Sequence, residues 1–248
     1  MSPPSVAATG ALSAGPRRRS PLAGLVVAIT IAAVVCGAVV AAVVAWWAGL
    51  VLAVALGAGL GFGFVAPRVS GAEARVLRLV GPARPADPRS EARLLNLVEG
   101  LSPGAGLARP RVVVVDDGAP NALAIGRDGP RGYVVATTGL LAALDRMQLE
   151  GVVADLLVQI RDGLMSAPTL SLALRPGRPP ASPPLALADA AAVSLTRYPP
   201  GLSSALRQLL AAGPAVPASA SAALRPLWLA GPDDAEGVAA RVATLEET

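Results

Sequence analysis

Asp155, Gln159 and Asp162 fall at i, i+4 and i+7 in the stretch GVVADLLVQIRDG, residues 151–163, a spacing that sets all three on one face of a helix. Oxygen donors of this kind suit a hard cation such as Mg²⁺ or Ca²⁺, with Asp189 as a further ligand. The competing reading is that these polar residues pair with arginines such as Arg161 or Arg197, or face water. Aspartic-protease chemistry would need two carboxylates about 3 Å apart sharing a proton, and nothing in the spacing argues for it. The chain has no histidine, which removes both the commonest imidazole ligand and the usual general base near neutral pH. Ser203 and Ser204 lie in a helical pattern with no histidine to activate them. Asp116 and Asp117 read as turn residues at the end of a strand, and Thr137, Thr138 and Gly139 as the start of a helix that a threonine can cap.

The elements that must position these residues follow a strongly apolar block. Of the 248 residues 53% are hydrophobic, concentrated from Leu22 to about Ala66. A pI near 10.4 with a net charge of only +4, no lysine, and arginines such as Arg17, Arg18 and Arg19 beside that block point to membrane topology and not to nucleic acid. The single cysteine, Cys36, cannot form an internal disulfide.

Three regions are expected. Residues 1–20, rich in Ser, Pro, Ala and Gly and ending in PRRRS, read as a disordered cytoplasmic tail. Residues 21–67 read as a transmembrane helical hairpin, with spans near 22–44 and 49–66 and Trp46 and Trp47 at the turn, where indole rings favour the interface. Arginines before the first span and after the second, at Arg68, Arg75 and Arg78, give a multi-pass protein of the cell membrane with both ends and the soluble part in the cytoplasm. Residues 68–248 read as an α+β domain, a small sheet packed by helices. RVVVVDDG, NALAIGRD and GYVVATTG supply strands, Leu140 to Arg161 is helical, residues 163–184 are Pro-rich and mostly irregular, and helical patterns resume at LALADAAAVSLTRY, PPGLSSALRQLLAAG and AEGVAARVATLEET.

In this order the segments resemble the membrane-anchored zinc metallopeptidases of the HtpX and CAAX-prenyl-protease type, from the apolar hairpin through almost the whole soluble part. Asn121, Ala122, Leu123 and Ala124 are similar to that family's Asn-Ala-Phe-Ala-like strand. VATTGLLAALDRMQLEGVVA follows its run into the catalytic helix, LADAAAVSLTRYPPGLSSALRQL its third-ligand segment, and LWLAGP its later stretch. The resemblance implies a zincin-like fold. It also implies an H-E-x-x-H helix, which puts two imidazoles one turn apart and a general-base glutamate beside the metal-bound water. Laid on this chain, the first histidine falls on Asp155, the glutamate on Leu156 and the second histidine on Gln159. The glutamate that gives the third ligand falls on Leu185, while Asp189 keeps the family's aspartate, and a His-Pro element before the last helix is missing.

The expectation is therefore a catalytically inactive membrane metallopeptidase homologue with no catalytic residues, no metal and no cofactor. It would act by binding a membrane-protein client, an extended peptide or an active relative. In related peptidases the strand matching Asn121–Ala124 pairs with peptide backbone, and that needs only an open edge; an ordinary edge strand shielded by Arg127 or a loop is the competing reading. The rival function is an active membrane metallopeptidase-family hydrolase with a relocated or non-standard site. A third is a purely structural membrane protein.

Overall fold

A computed structural model describes residues 21–127 and 129–247. The chain divides into two compact units, residues 1–62 and 63–248; the tail expected at residues 1–20 lies outside the described residues.

The first unit is dominated by helix α1, Pro21–Ser70, whose stretch Leu25–Phe64 is 40 residues long with a mean hydropathy of 2.8 and is wholly exposed. It is long and apolar enough to cross a membrane. Here the expected hairpin is corrected: α1 runs on without a break through Trp46 and Trp47, both exposed. The physical reason is local. Nothing between Val44 and Gly49 stops a helix, since there is neither proline nor charge, and one glycine costs only ~1 kcal/mol against a long run of helix formers.

The second unit begins with α2, Ala72–Val80, a short amphipathic helix that buries Ala72, Glu73, Val76 and Val80. Arg127 donates to the Glu73 carboxylate at 3.0 Å and to the Val69 carbonyl at 3.2 Å. The sheet is formed by β1 Ala83–Pro85, which precedes helix α3, Ala92–Gly104, and by β2 Arg111–Val115, β3 Ala122–Ile125 and β4 Tyr133–Thr137 after it, in the order β1-β2-β4-β3. Its centre, β2 beside β4, is parallel with Val113 opposite Val135, and both outer pairs are antiparallel. β-Branched runs such as Val112–Val115 suit this doubly covered position.

Thr137 ends β4 and caps α4, Thr138–Ala143: its hydroxyl accepts from Leu140 N at 3.0 Å. A capping box between Asp145 and Gln148 then starts α5, Arg146–Arg161. Every residue of α5 from Gly151 to Ile160 is buried, against α3, β3, α7 (Ala186–Thr196) and α8 (Pro199–Ala211). Close approach makes that possible. A Cβ on Gly151 would stand 2.5 Å from Leu202 N, and one on Gly201 2.8 Å from Met147 O, so two glycines let α5 and α8 cross at backbone distance.

The Pro-rich stretch is more ordered than expected: Ser166–Leu174 forms α6, packed on α2, with Pro168 in the first turn, where a missing N–H costs nothing. Helix α9, Ala235–Glu246, packs on α7 and α8.

Candidate functional site

The helix face singled out in sequence points into the protein. Asp155 and Gln159 are buried on α5, Asp189 is buried in the first turn of α7, and the three meet a fourth buried polar residue, Arg241 of α9. The Arg241 guanidinium donates to both oxygens of Asp189, from Nε to Oδ2 at 2.9 Å and from Nη2 to Oδ1 at 2.6 Å. The same Nη2 reaches Asp155 Oδ2 at 3.1 Å, and Gln159 Nε2 donates to that oxygen at 3.0 Å. Leu156 and Leu185 are buried as well. Three buried polar atoms around this cluster have no hydrogen-bond partner: Asp155 Oδ1, Gln159 Oε1 and Arg241 Nη1.

Burial dominates the electrostatics. It pushes the Asp155 carboxyl up to about 6, against the pull of Arg241 and with a further push from the Asp189 charge; the Gln159 hydrogen bond opposes it weakly. Burial also works against the charge on Arg241, but the two carboxylates outweigh it and hold the guanidinium firmly protonated. A carboxyl group that titrates near neutrality beside a fixed positive charge can take up and return a proton.

Asp162 does not join the cluster. It is exposed at the end of α5 and pairs with Arg161 at 2.7 Å. Arg197, the other expected partner, sits at the end of α7 in a left-handed conformation. Arg241 was missed in sequence, although its position carried a signal. Val238, Arg241, Val242 and Leu245 stand at i, i+3, i+4 and i+7 and are all buried, so an arginine occupies the apolar stripe of an amphipathic helix.

Zinc does not fit this donor set. The position between Asp155 and Asp189 is already filled by a guanidinium, the leucines at 156 and 185 offer no lone pair, and there is no histidine in the chain. No group of three or more His, Cys, Asp or Glu that could hold a metal ion occurs among the described residues.

The Asn121–Ala124 segment forms the edge strand β3 with its first flank. Asn121 uses its whole amide internally. Nδ2 donates to Ala215 O at 2.8 Å and Ala230 O at 2.7 Å, and Oδ1 accepts from Ala122 N at 2.9 Å and Ala230 N at 3.2 Å. Leu229 N donates to the Ala122 carbonyl at 2.8 Å, so the segment around Leu229 lies along the start of the edge. Leu123 and Ala124 are buried in the core.

Residues 88–154 match the model of Peptidase family M48, a segment running from before α3 into the first half of α5. Similar curated proteins carry the name Protease HtpX homolog. That of Dictyoglomus thermophilum is 52% identical over 69 residues, 28% of this chain and 23% of the relative. That of Dictyoglomus turgidum is 34% identical over 163 residues, covering 47% and 53%, and that of Acidiphilium cryptum 42% identical over 123 residues, covering 49% and 42%. The chain thus spans about half or less of the length of these relatives.

These matches overturn the expectation of a catalytically inactive binding module. The relatives are named as proteases and the matched model is that of a peptidase family, so the rival, an active hydrolase with a non-standard site, fits better. The chain is similar over residues 88–154 to Peptidase family M48 and, over up to about half its length, to proteins named Protease HtpX homolog.

Proposed function

We propose that this protein is a membrane-anchored hydrolase of the M48 peptidase type that cleaves peptide bonds from a site built without histidine. The observation that carries the reading is the run of similarity to HtpX-named proteases through the strand and helix frame into α5, the helix that bears Asp155. Where related peptidases keep their first imidazole, this helix places a carboxyl group that titrates at about 6 and is suited to general acid–base work near neutral pH. Arg241 beside it supplies the positive charge that would stabilise an oxyanion developing on a scissile carbonyl. Both side chains are buried, so a substrate reaches them only when the packing around α5 opens while α9 keeps Arg241 beside Asp155.

The anchor belongs to the same proposal. As one straight helix Leu25–Phe64 would reach roughly 60 Å, twice the ~30 Å hydrocarbon core. A break at Trp46 and Trp47 within the bilayer, which the continuous helix does not itself show, would give two crossings, and Arg75 and Arg78 after the apolar stretch would set the second unit in the cytoplasm. The test of the activity uses the full chain in detergent micelles with a fluorogenic unfolded protein such as labelled casein. Cleavage that disappears in Asp155→Asn and survives chelator is expected; release of fluorescence no faster than with Asp155→Asn refutes the hydrolase.

A further inference from the structure

We propose that Arg241 is the resident cation of the buried centre, a side chain standing where related peptidases hold a divalent metal, and that α9 is the element that delivers it. This inference does not depend on the hydrolytic reading. Two carboxylates, Asp155 and Asp189, are buried within reach of one positive group, which offsets the cost of burying them. The guanidinium bridges them as a metal would. One nitrogen, Nη2, contacts an oxygen of each aspartate at 2.6 and 3.1 Å, and Nε fixes the second oxygen of Asp189 at 2.9 Å. A planar, permanently charged fork suits that geometry better than the point charge of lysine.

The surroundings fit the same account. The leucines at 156 and 185, the positions that match two of the family's site residues, are buried and offer no donor to a metal. Arg241 itself interrupts an apolar stripe, between Val238 and Val242, Leu245, a position that serves no solvent-facing purpose. The oxygen donors are not exhausted by it: Asp155 Oδ1 and Gln159 Oε1 stay unpartnered in the interior, each bonded to the same carbon as an atom already engaged at Asp155 Oδ2. Remove the guanidinium, and two buried carboxylates are left without a cation beside them, with the Gln159 amide against Asp155, oxygen donors of the kind a hard divalent ion takes.

The experiment compares chelator-stripped full chains in detergent micelles: wild type, Arg241→Ala and Arg241→Lys, with Mn²⁺ and Zn²⁺ as probes. Metal content after desalting and the thermal midpoint are read. Wild type and Arg241→Lys should retain only substoichiometric metal and keep the same midpoint in millimolar Mn²⁺. Arg241→Ala should melt well below wild type and recover several degrees with Mn²⁺, a recovery lost when Asp155→Asn is added. If Arg241→Ala is recovered unfolded, refolding with Mn²⁺ should restore helical structure that refolding without it does not. One Zn²⁺ retained per wild-type chain and released by Asp189→Asn overturns the proposal, as does an Arg241→Ala chain that neither gains stability nor structure from Mn²⁺, or an Arg241→Lys chain that responds as strongly. Because no readout involves peptide cleavage, this result is independent of the activity assay.

Discussion

Arg241 and Asp189 form a two-pronged ion pair inside the protein, Nη2 to Oδ1 at 2.6 Å and Nε to Oδ2 at 2.9 Å, joining α9 to the first turn of α7. Breaking a buried pair by removing one partner typically costs about 3–5 kcal/mol, and here Arg241 would keep only the single contact to Asp155. Asp189→Ala is therefore expected to lose about that much in urea unfolding, more than Asp162→Ala, whose pair with Arg161 is half exposed and worth at most about 1 kcal/mol.

The Asp155 carboxyl gives stability an unusual pH slope. Its native value, about 6, lies above its ordinary value of 3.8, so between these two the folded state binds the extra proton and stability falls as pH rises. Glu91 works the other way. Arg84 and the Asp87 N–H hold it down to about 2 from 4.5, so its contribution is present above 4.5 and lost as pH falls toward 2. The thermal midpoint measured from pH 3 to pH 8 should peak near pH 4–5. Asp155→Asn should flatten the decline toward pH 6, and Glu91→Gln the acid limb.

Asn121 should behave as a clamp. Its amide makes four hydrogen bonds in a buried position, to Ala122, Ala215 and Ala230. Asn121→Ala strands buried backbone groups at about 1–3 kcal/mol each where no water replaces the bond, so a loss of about 2–4 kcal/mol is expected, with amide exchange accelerating first at Leu229 and Ala230. Unchanged exchange there would show that the segment is held by other contacts.

Gly151→Ala tests the crossing of α5 and α8. The new methyl would stand 2.5 Å from Leu202 N, and overpacking of this kind costs about 1–3 kcal/mol or more. The midpoint in denaturant should drop accordingly, whereas Gly100→Ala, which meets nothing within 4 Å, should leave it unchanged or slightly raised.

The proposed two crossings of the membrane would put both ends of the chain on one side. Reporter fusions at the N- and C-termini, one fluorescent only in the cytoplasm and one active only outside it, should both report the cytoplasm. Opposite sides for the two ends would mean that α1 crosses once.

Much of the fold could be read from short-range pattern. The valine run at 112–115, the apolar run at Tyr133–Ala136 and the Asp145/Gln148 capping box each carry their structure in a few consecutive residues. Strand β1 escaped because Ala83–Pro85 has no strand composition of its own and pairs only because β2 presents an edge. Helix α6 escaped because proline and serine in its opening turn read as a loop, while packing on α2 decides the matter. At the site, Asp155, Gln159 and Asp189 were visible through spacing and resemblance, whereas their partner Arg241 lies 86 residues beyond Asp155, a distance over which periodicity says nothing. Asn121 was visible as a marker of the strand but not as a clamp, since the carbonyls it holds are 94 and 109 residues away.

That separation bears on how the molecule acquires its structure. Contacts spanning 86 and 109 positions must wait for the entropic cost of closing large loops, and chains dominated by such contacts fold slowly. The helices on either side of the acidic pair can condense early from local contacts, leaving two carboxylates facing a half-formed interior until the distant arginine docks. Docking of α9 brings the balancing charge to both carboxylates, and mild acid, by neutralising Asp155 in advance, lowers the penalty of burying it before Arg241 arrives.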